Sequence, residues 1–198
     1  MKKILIAMML SMPLAIAAQD NTWEQPQVNN QDQKYLVGAV PEVDGHVVFS
    51  KTITAPGKSA KQIYELLRKD LLVMTKEPNQ IEQSRLTLED ADENRVVASF
   101  QEWLVFKNKP LNLDRTRFLY QIIADCKDGQ ADIKLNRIIY IYDEERDMTT
   151  YKAEDWITDE QGLNKKKTKL ARVSGKFRRK TIDRVEYIFN RFTQLLQN

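Results

Sequence analysis

The strongest constraint on the fold is a tight turn at Asp128-Gly129, between two stretches in which apolar and polar residues alternate. Asp-Gly is a favoured two-residue turn because its twist matches a pair of antiparallel strands. The turn fixes a register in which one face is almost entirely apolar. The facing pairs on that side are Cys126 with Ala131, Ala124 with Ile133, Ile122 with Leu135, Tyr120 with Arg137, and Phe118 with Ile139. This face predicts the buried side of an antiparallel sheet.

The opposite face of the same two strands carries mostly polar and aromatic residues. Its facing pairs are Asp125 with Asp132, Ile123 with Lys134, Gln121 with Asn136, Arg117 with Tyr140, and Arg115 with Tyr142. Such a face is typical of a solvated surface on which guanidinium groups lie over aromatic rings. Arg137 is the exception on the apolar side, because a guanidinium there must be paired, reach an edge or line a pocket. We expect pairing, or a bulge that rotates Arg137 outward, in preference to a ligand site.

Further strands and two helices are indicated by periodicity. Residues 46–54 alternate with the period of a strand, and we also predict strands at 85–89 and 95–106, followed by a loop at 107–114 that contains Pro110. Ser59 and Gln62 form a capping box that starts a helix over residues 60–74.

A final helix is predicted from an apolar stripe at spacings of three, four and seven residues. The stripe consists of Phe177, Val185, Ile188, Phe189, Phe192, Leu195 and Leu196. The charged residues that fall outside it are Arg178, Arg179, Asp183, Glu186 and Arg191. We expect this helix to pack on the sheet through the stripe.

The order of elements is therefore strand, helix, four strands, helix. With 198 residues, of which 42% are hydrophobic, the chain has enough apolar surface for one domain with a sizeable core. The fold class that follows is α+β, with an antiparallel sheet whose buried face is covered by helices.

The first 18 residues have the three parts of a secretory signal. Lys2 and Lys3 form a positive region, an apolar region runs through residues 4–14, and residues 15–18 are the small-residue cleavage site Ala-Ile-Ala-Ala. An uncleaved membrane anchor would need about 20 apolar residues. We therefore expect cleavage after Ala17 or Ala18 and an exported chain, periplasmic or secreted, without a transmembrane anchor.

Residues 19–34 are rich in Gln and Asn and predict a flexible leader, so the folded domain is expected at 35–198. Trp23 within the leader is read as an exposed aromatic residue or as an anchor for a partner. With Cys126 as the single cysteine, no internal disulfide is available, and stability must come from the core.

Positive charge is concentrated in one part of the chain. The whole sequence has 31 Lys and Arg against 28 Asp and Glu, a net charge of +3 that is too small to indicate a nucleic-acid binder. Nine of the basic residues lie at 165–180, where there is no acidic residue; the rest of the chain after the signal has 20 basic and 28 acidic residues.

We consider two interpretations of this basic segment. It could attract an anionic surface polymer, phospholipid headgroups or an acidic protein, with a contact patch formed by Lys165, Lys166, Lys167, Lys169 and Arg172. Alternatively, its charges neutralise the acidic turns of the same chain and the exposed side of the final helix.

Signs of catalysis or of a bound cofactor are weak. His46 is the only histidine and lies among polar residues on a predicted strand, and Cys126 is expected to be a buried apolar residue. The glycines form neither a phosphate-binding loop nor a nucleophile elbow. The acidic turns at 89–93 and 143–145 lack the spacing and the turn glycine of a calcium loop. We therefore expect no enzyme, no cofactor and no metal site.

Five segments resemble an exported family of unknown function from Bacteroides-type bacteria, which has a TATA-binding-protein-like fold. They are VDGHVVFSKTITAPGKS at 43–59, Ile63-Tyr64, AEDWI at 153–157, LNKKKTKL at 163–170 and GKFRRKTI at 175–182. The resemblance implies the same strand, helix, four strands, helix order in a curved antiparallel sheet. It implies no activity, and it supplies no catalytic or binding residue. It does not imply DNA binding, because this fold has many functions.

Two functions remain open from the sequence. The first is a non-enzymatic binding or interaction module of the cell envelope, whose partner is an unknown envelope protein or an anionic polymer. The second is a carrier of a small apolar ligand in a cavity between the sheet and the final helix. That cavity would be lined by residues such as Phe118, Ile122, Leu135, Phe189 and Phe192. Filled packing would favour the first function and an enclosed void the second.

The signal sequence makes a direct prediction about the exported protein. Intact mass spectrometry of protein recovered from the periplasm should show a chain that begins at Ala18 or Gln19, because cleavage follows the small residues. Recovery of a chain that begins at Met1 in the membrane fraction would contradict both the cleavage and the absence of an anchor.

Overall fold

A computed structural model describes residues 32–110, 112–144 and 146–198, without the side chain of Asn112. The signal sequence, Trp23 and the rest of residues 19–31 lie outside the described residues. Residues 32–34, which we assigned to the flexible leader, belong to a 3-10 helix, Asp32–Tyr35. Tyr35 is buried, and its hydroxyl donates to Asp183 Oδ1 at 2.8 Å. The packed domain therefore includes at least three residues more than the sequence indicated.

The described residues form eight strands and two α-helices after this 3-10 helix. The strands are β1 (Glu42–Val43), β2 (His46–Val47), β3 (Phe49–Thr54), β4 (Arg85–Asp90), β5 (Arg95–Lys109), β6 (Asn112–Lys127), β7 (Gln130–Tyr142) and β8 (Thr149–Lys152), and the helices are α1 (Ala60–Met74) and α2 (Gly175–Gln197). The main sheet is antiparallel in the order β3-β7-β6-β5-β4, and β8 pairs with the second half of β7. Strands β1 and β2 form a separate small sheet.

Helix α1 has the bounds that the sequence predicts. Ser59 accepts a hydrogen bond from the Gln62 amide, and the Gln62 side chain accepts one from the Ser59 amide, so the capping box is confirmed. The helix buries Ile63, Tyr64, Leu67, Leu71 and Met74 against the sheet. Among the described residues, no helix is long and apolar enough to cross a membrane.

Helix α2 packs on the sheet through the predicted stripe, but its charged residues do not all face solvent. Arg178 and Asp183, which the pattern placed outside the stripe, are both buried. The first half of α2 lies between the sheet and two further segments, the 3-10 helix and residues 153–163, so almost every side of it is covered. A charged residue can be buried there because it forms hydrogen bonds on all sides, which the periodicity of the sequence does not reveal.

The turn at Asp128-Gly129 sets the predicted register over the first half of β6 and β7. Every pair from Lys127 with Gln130 to Gln121 with Asn136 is confirmed. The register then shifts after Gln121, where Arg137 adopts a positive φ of 52° and is exposed. This is the outward bulge that we considered for Arg137, because an extra residue on one strand rotates that side chain to the other face.

Beyond the bulge, three predicted pairings are wrong by one residue. Phe118 faces Tyr140 instead of Ile139, Arg117 faces Ile141 instead of Tyr140, and Thr116 instead of Arg115 faces Tyr142. The shift turns Ile138 and Tyr140 toward the core, where the Tyr140 hydroxyl lies 2.6 Å from the Thr181 hydroxyl of α2.

The loop predicted at 107–114 is also wrong. Strand β5 continues to Lys109 and β6 begins at Asn112, so Pro110 lies in a short turn between long strands. A second bulge, between Val105 and Lys107, accompanies contact of Phe106 with the ring of Phe177 on α2 at 4.6 Å between centroids. Proline interrupts pairing only at its own position, and here that position is the turn.

A buried ion pair joins the middle of β5 to α2. Glu102 and Arg184 have no exposed side-chain surface, and Arg184 Nε and Nη2 lie 2.7 Å from the two carboxylate oxygens. Asn79 and Gln80 also donate to Glu102 Oε2, at 2.9 and 2.5 Å. Burial would lower the pKa of Arg184, but the Glu102 carboxylate more than offsets this effect, so the pKa lies above its ordinary value.

The register of β6 and β7 predicts different costs for two neighbouring substitutions. Ile122→Asp places a carboxylate in the core opposite Leu135, so we expect it to lower the free energy of unfolding by about 4 kcal/mol. Gln121→Asp lies on the uncovered face, and its cost should be below about 1 kcal/mol. Urea unfolding measures both. Equal costs would mean that the two side chains do not face opposite sides.

The buried ion pair predicts non-additive effects. Arg184→Met leaves the Glu102 carboxylate buried without its counter-charge and should cost about 3 to 5 kcal/mol. The double variant Glu102→Leu, Arg184→Met should be more stable than Arg184→Met alone, because the uncompensated charge is gone. Arg95→Met, which removes a surface pair with Asp125 at 3.2 Å, serves as the control and should cost less than about 1 kcal/mol. Urea unfolding of the four proteins would contradict this account if Arg184→Met and Arg95→Met cost the same.

Candidate functional site

The basic segment predicted from the sequence begins in a tight loop just before α2, which we call the lysine loop (residues 163–172). Leu163 and Leu170 form an antiparallel bridge across its base. The Asn164 amide donates to the Lys169 carbonyl at 2.9 Å, and the Lys167 amide donates to the Asn164 carbonyl at 2.7 Å. The second bond closes a four-residue turn, so Lys165 and Lys166 lie at its tip.

One side chain inside the loop fixes its conformation. Asn164 Oδ1 accepts hydrogen bonds from the amides of Thr168, at 2.9 Å, and Lys169, at 3.2 Å. Asparagine commonly stabilises turns in this way because its side chain can bond to the backbone a few residues later. The lysine loop therefore has a defined shape and presents its lysines from fixed backbone positions.

Close contacts hold the lysine loop against the start of α2. A Cβ atom on Gly175 would lie 2.7 Å from Leu170 Cβ, and a Cβ atom on Gly162 would lie 2.8 Å from Arg178 Cδ. Both positions therefore need glycine for the chain to come so close. Ser174 Oγ also donates to the Gln161 carbonyl at 2.5 Å. The loop is anchored at both ends to the buried part of the domain.

The predicted contact patch is divided by the structure. Lys165, Lys166, Lys169 and Arg172 are exposed, and within the described residues none of these four forms an ion pair. Lys167 instead turns back to pair with Glu160, and the hydrogen bond to that carboxylate raises the pKa of Lys167. Four of the five predicted residues are therefore exposed and form no ion pair within the described residues.

The second half of the basic segment has a structural role. Lys176 binds both carboxylate oxygens of Asp114, at 3.0 and 2.7 Å, and Arg179 pairs with Asp32. Arg178 and Lys180 are buried. Lys176 and Arg179 therefore agree with the alternative interpretation, in which basic residues of the segment neutralise acidic residues of the same chain. The sequence alone could not show which basic residues are paired, because their acidic partners are far away along the chain.

The cavity expected for a small-ligand carrier is filled. The side chains named as its lining are fully buried except for Phe189, which is 9% exposed. A void large enough for a ligand would leave accessible surface on these side chains. Aromatic contacts occupy the space instead, with the ring of Phe118 4.7 Å from that of Tyr120 and 5.6 Å from that of Tyr140.

His46 and Cys126, the single residues considered for catalysis, lie on different strands, β2 and β6. His46 is exposed, and its Nδ1 lies 3.9 Å from Glu154 Oε1. Burial, with a smaller effect of the neighbouring Asp125, raises the pKa of Cys126 to about 12, which disfavours the thiolate needed by a nucleophile.

The two acidic turns are occupied by internal contacts. Asp90 Oδ1 accepts the amides of Asp92 and Glu93, at 3.2 and 3.0 Å, and so stabilises its own turn. Glu144 pairs with Arg117. Within the described part of the chain, no cluster of three or more possible metal ligands is found.

Sequence reasoning missed a surface pocket on the face of the sheet that the helices leave uncovered. Its volume is about 340 Å³, and its lining includes Trp103, Arg115 and Ile141. The Arg115 guanidinium carbon lies 3.8 Å from the centre of the Trp103 ring. We predicted guanidinium groups over aromatic rings on this face, but with Tyr142 as the partner of Arg115. The change of partner has two causes. The register shift places Thr116 and not Arg115 opposite Tyr142, and Trp103 lies on the neighbouring strand β5, whose pairing with β6 no turn in the sequence indicated.

Comparison with known proteins identifies the family. The chain is similar to a DUF4468 family protein from Bacteroides ovatus, at 41% identity over 86% of this chain and 97% of that chain, with a TM-score of 0.76. A TBP-like protein from Parabacteroides distasonis is 22% identical over 80% of this chain and 97% of that chain, with a TM-score of 0.66, which supports the fold. No curated protein matches the chain.

The model of the family matches residues 49–141, from the start of β3 to the last residue but one of β7. The expected α+β fold, with its antiparallel sheet and long C-terminal helix, is confirmed by this match and by the similar structures. The resemblance noted in the sequence is confirmed in the same way. The chain therefore belongs to the family described as a domain of unknown function (DUF4468) with TBP-like fold.

Proposed function

We propose that this chain is a non-enzymatic binding module of the bacterial cell envelope, which contacts an anionic partner through the lysine loop. The observation that carries the proposal is that the lysine loop holds four exposed cations, Lys165, Lys166, Lys169 and Arg172, none of which forms an ion pair with a described residue. They lie on a loop held by backbone bonds and by Asn164. A fixed, unpaired cluster of one charge attracts the opposite charge even when the net charge is small.

The charge balance of the chain supports an anionic partner. Outside residues 165–180, acidic residues exceed basic residues after the signal sequence, so the positive field is local. One exposed ion pair contributes only about 0.2 to 1 kcal/mol, so a useful partner must contact several of these cations at once. A surface or polymer with repeated negative charges meets this requirement better than a single small anion.

A non-enzymatic role is supported by where the reactive side chains lie. His46 is exposed on β2, whereas Cys126 is buried at the end of β6, and the two do not form a common cleft. Acid–base or nucleophilic chemistry needs such groups within hydrogen-bond reach of one another. The envelope location rests on the signal sequence, whose three parts are all present.

The lysine loop predicts a binding defect without a stability defect. In the variant Lys165→Gln, Lys166→Gln, Lys169→Gln, three exposed and unpaired charges are lost, so the melting temperature should stay within about 2 °C of the wild type. Capture of anionic partners from envelope extract should fall strongly. Raising the salt concentration should weaken capture by the wild type, because salt screens exposed charges.

Two controls make the comparison specific. Lys61→Gln, Lys69→Gln, Lys76→Gln removes the same charge from exposed positions on and just after α1, and it should leave capture unchanged. Lys167→Gln should weaken capture less than Lys166→Gln, since the ammonium of Lys167 already pairs with Glu160. Quantitative mass spectrometry of the captured material measures these differences. Identical profiles for the two triple variants would refute the role of the lysine loop.

A further inference from the structure

We infer that the anionic partner of the lysine loop is the surface of an anionic lipid bilayer. The inference rests on the proposed function and narrows its partner to one class. Three properties of the described residues carry it: the shape of the loop, the apolar side chains beside it, and the arrangement of acidic residues around it.

The shape of the lysine loop fits a broad surface. Lys165 and Lys166 occupy the tip of a turn, and the backbone bond from Lys167 to Asn164 holds that tip in place. None of the four pockets beside Trp103, along α1, after α1 and beside β3 includes a residue of the loop. A small anion needs donors that converge in a concave site, whereas Lys165 and Lys166 are exposed at the tip of a turn, with Lys169 and Arg172 exposed nearer its base. Exposed cations of this kind suit a plane of headgroups better than a small anion.

Exposed aliphatic side chains accompany the cations. Val173, next to Arg172, is 56% exposed, and Val37 is 62% exposed. The segment with Val37 is tied to this region, because the Gly38 amide donates to Asp159 Oδ2 at 2.9 Å. Cations that attract headgroups, together with aliphatic groups that enter the interface, are the features by which proteins bind membranes peripherally. A soluble polyanion would engage the lysines without using the valines.

The acidic residues just before the lysine loop oppose this attraction little. Glu160 pairs with Lys167, and Asp159 pairs with Arg178 at 2.6 Å, so a cation already balances each of these carboxylates. A lysine near an anionic membrane strengthens binding by roughly fivefold, so the loss of three should weaken it on the order of 100-fold.

The test uses vesicles and residues 19–198, which include every described residue and leave out the apolar stretch that would itself enter lipid. Co-sedimentation with vesicles of phosphatidylethanolamine and phosphatidylglycerol should show binding by the wild type, whereas vesicles of phosphatidylcholine should not. Lys165→Gln, Lys166→Gln, Lys169→Gln should weaken binding about 100-fold, and Lys61→Gln, Lys69→Gln, Lys76→Gln should leave it unchanged. Val173→Ser should weaken binding to vesicles severalfold but leave binding to soluble dextran sulfate unchanged.

The same experiment separates failure of this inference from failure of the proposed function. If the wild type binds dextran sulfate through the three lysines but not the anionic vesicles, the lipid inference is overturned and the binding module remains. If the wild type and the lysine-loop variant bind anionic vesicles equally, lipid binding occurs elsewhere and the inference is overturned as well. If the wild type binds neither probe, both the inference and the anionic partner are refuted.

Discussion

The arrangement of the candidate site depends on the buried guanidinium of Arg178. Its Nε donates to the Tyr35 carbonyl at 2.6 Å, Nη1 to the Ile157 carbonyl at 2.7 Å, and Nη2 to the Leu36 carbonyl and to Asp159 Oδ1, at 2.7 and 2.6 Å. Each buried carbonyl left without a donor would cost about 1 to 3 kcal/mol. One side chain of α2 thus joins the N-terminal segment to the segment that leads into the lysine loop, and it gives that loop a fixed base.

The features that the sequence predicted correctly depend on contacts between residues that are close together in the chain. The Asp128-Gly129 turn sets its own register, and Ser59 caps α1 through a residue three positions later. Arg137 could be expected to leave the core, because a guanidinium without partners is costly there. The one-residue shift of the strand pairs beyond Arg137 could not be derived, since the position of a bulge depends on what the strand packs against. Here Tyr140 packs against Thr181, 41 residues away.

What the sequence could not predict is which charges are buried. The apolar stripe places Arg178 and Asp183 on the side that faces solvent in a typical helix. Their partners lie far along the chain: Arg178 meets Leu36 at a separation of 142 residues, and Asp183 meets Tyr35 at 148. In the sequence alone, the nine basic residues at 165–180 form one uniform segment. The structure divides them into a structural half and an exposed half.

We place the proposed contact on the lysine loop and not on the uncovered face of the sheet because of the ion pairs on that face. On that face, Arg95 pairs with Asp125, Lys127 with Asp132, and Arg117 with Glu144, so much of its charge is already satisfied within the domain. A TBP-like fold supplies a scaffold and leaves function to sites built on it. In the described residues, the exposed cations Lys165, Lys166, Lys169 and Arg172 form no ion pair and lie close together in the chain, on a loop beyond the residues that the family model matches. A partner that responds to charge would therefore meet the loop before the sheet.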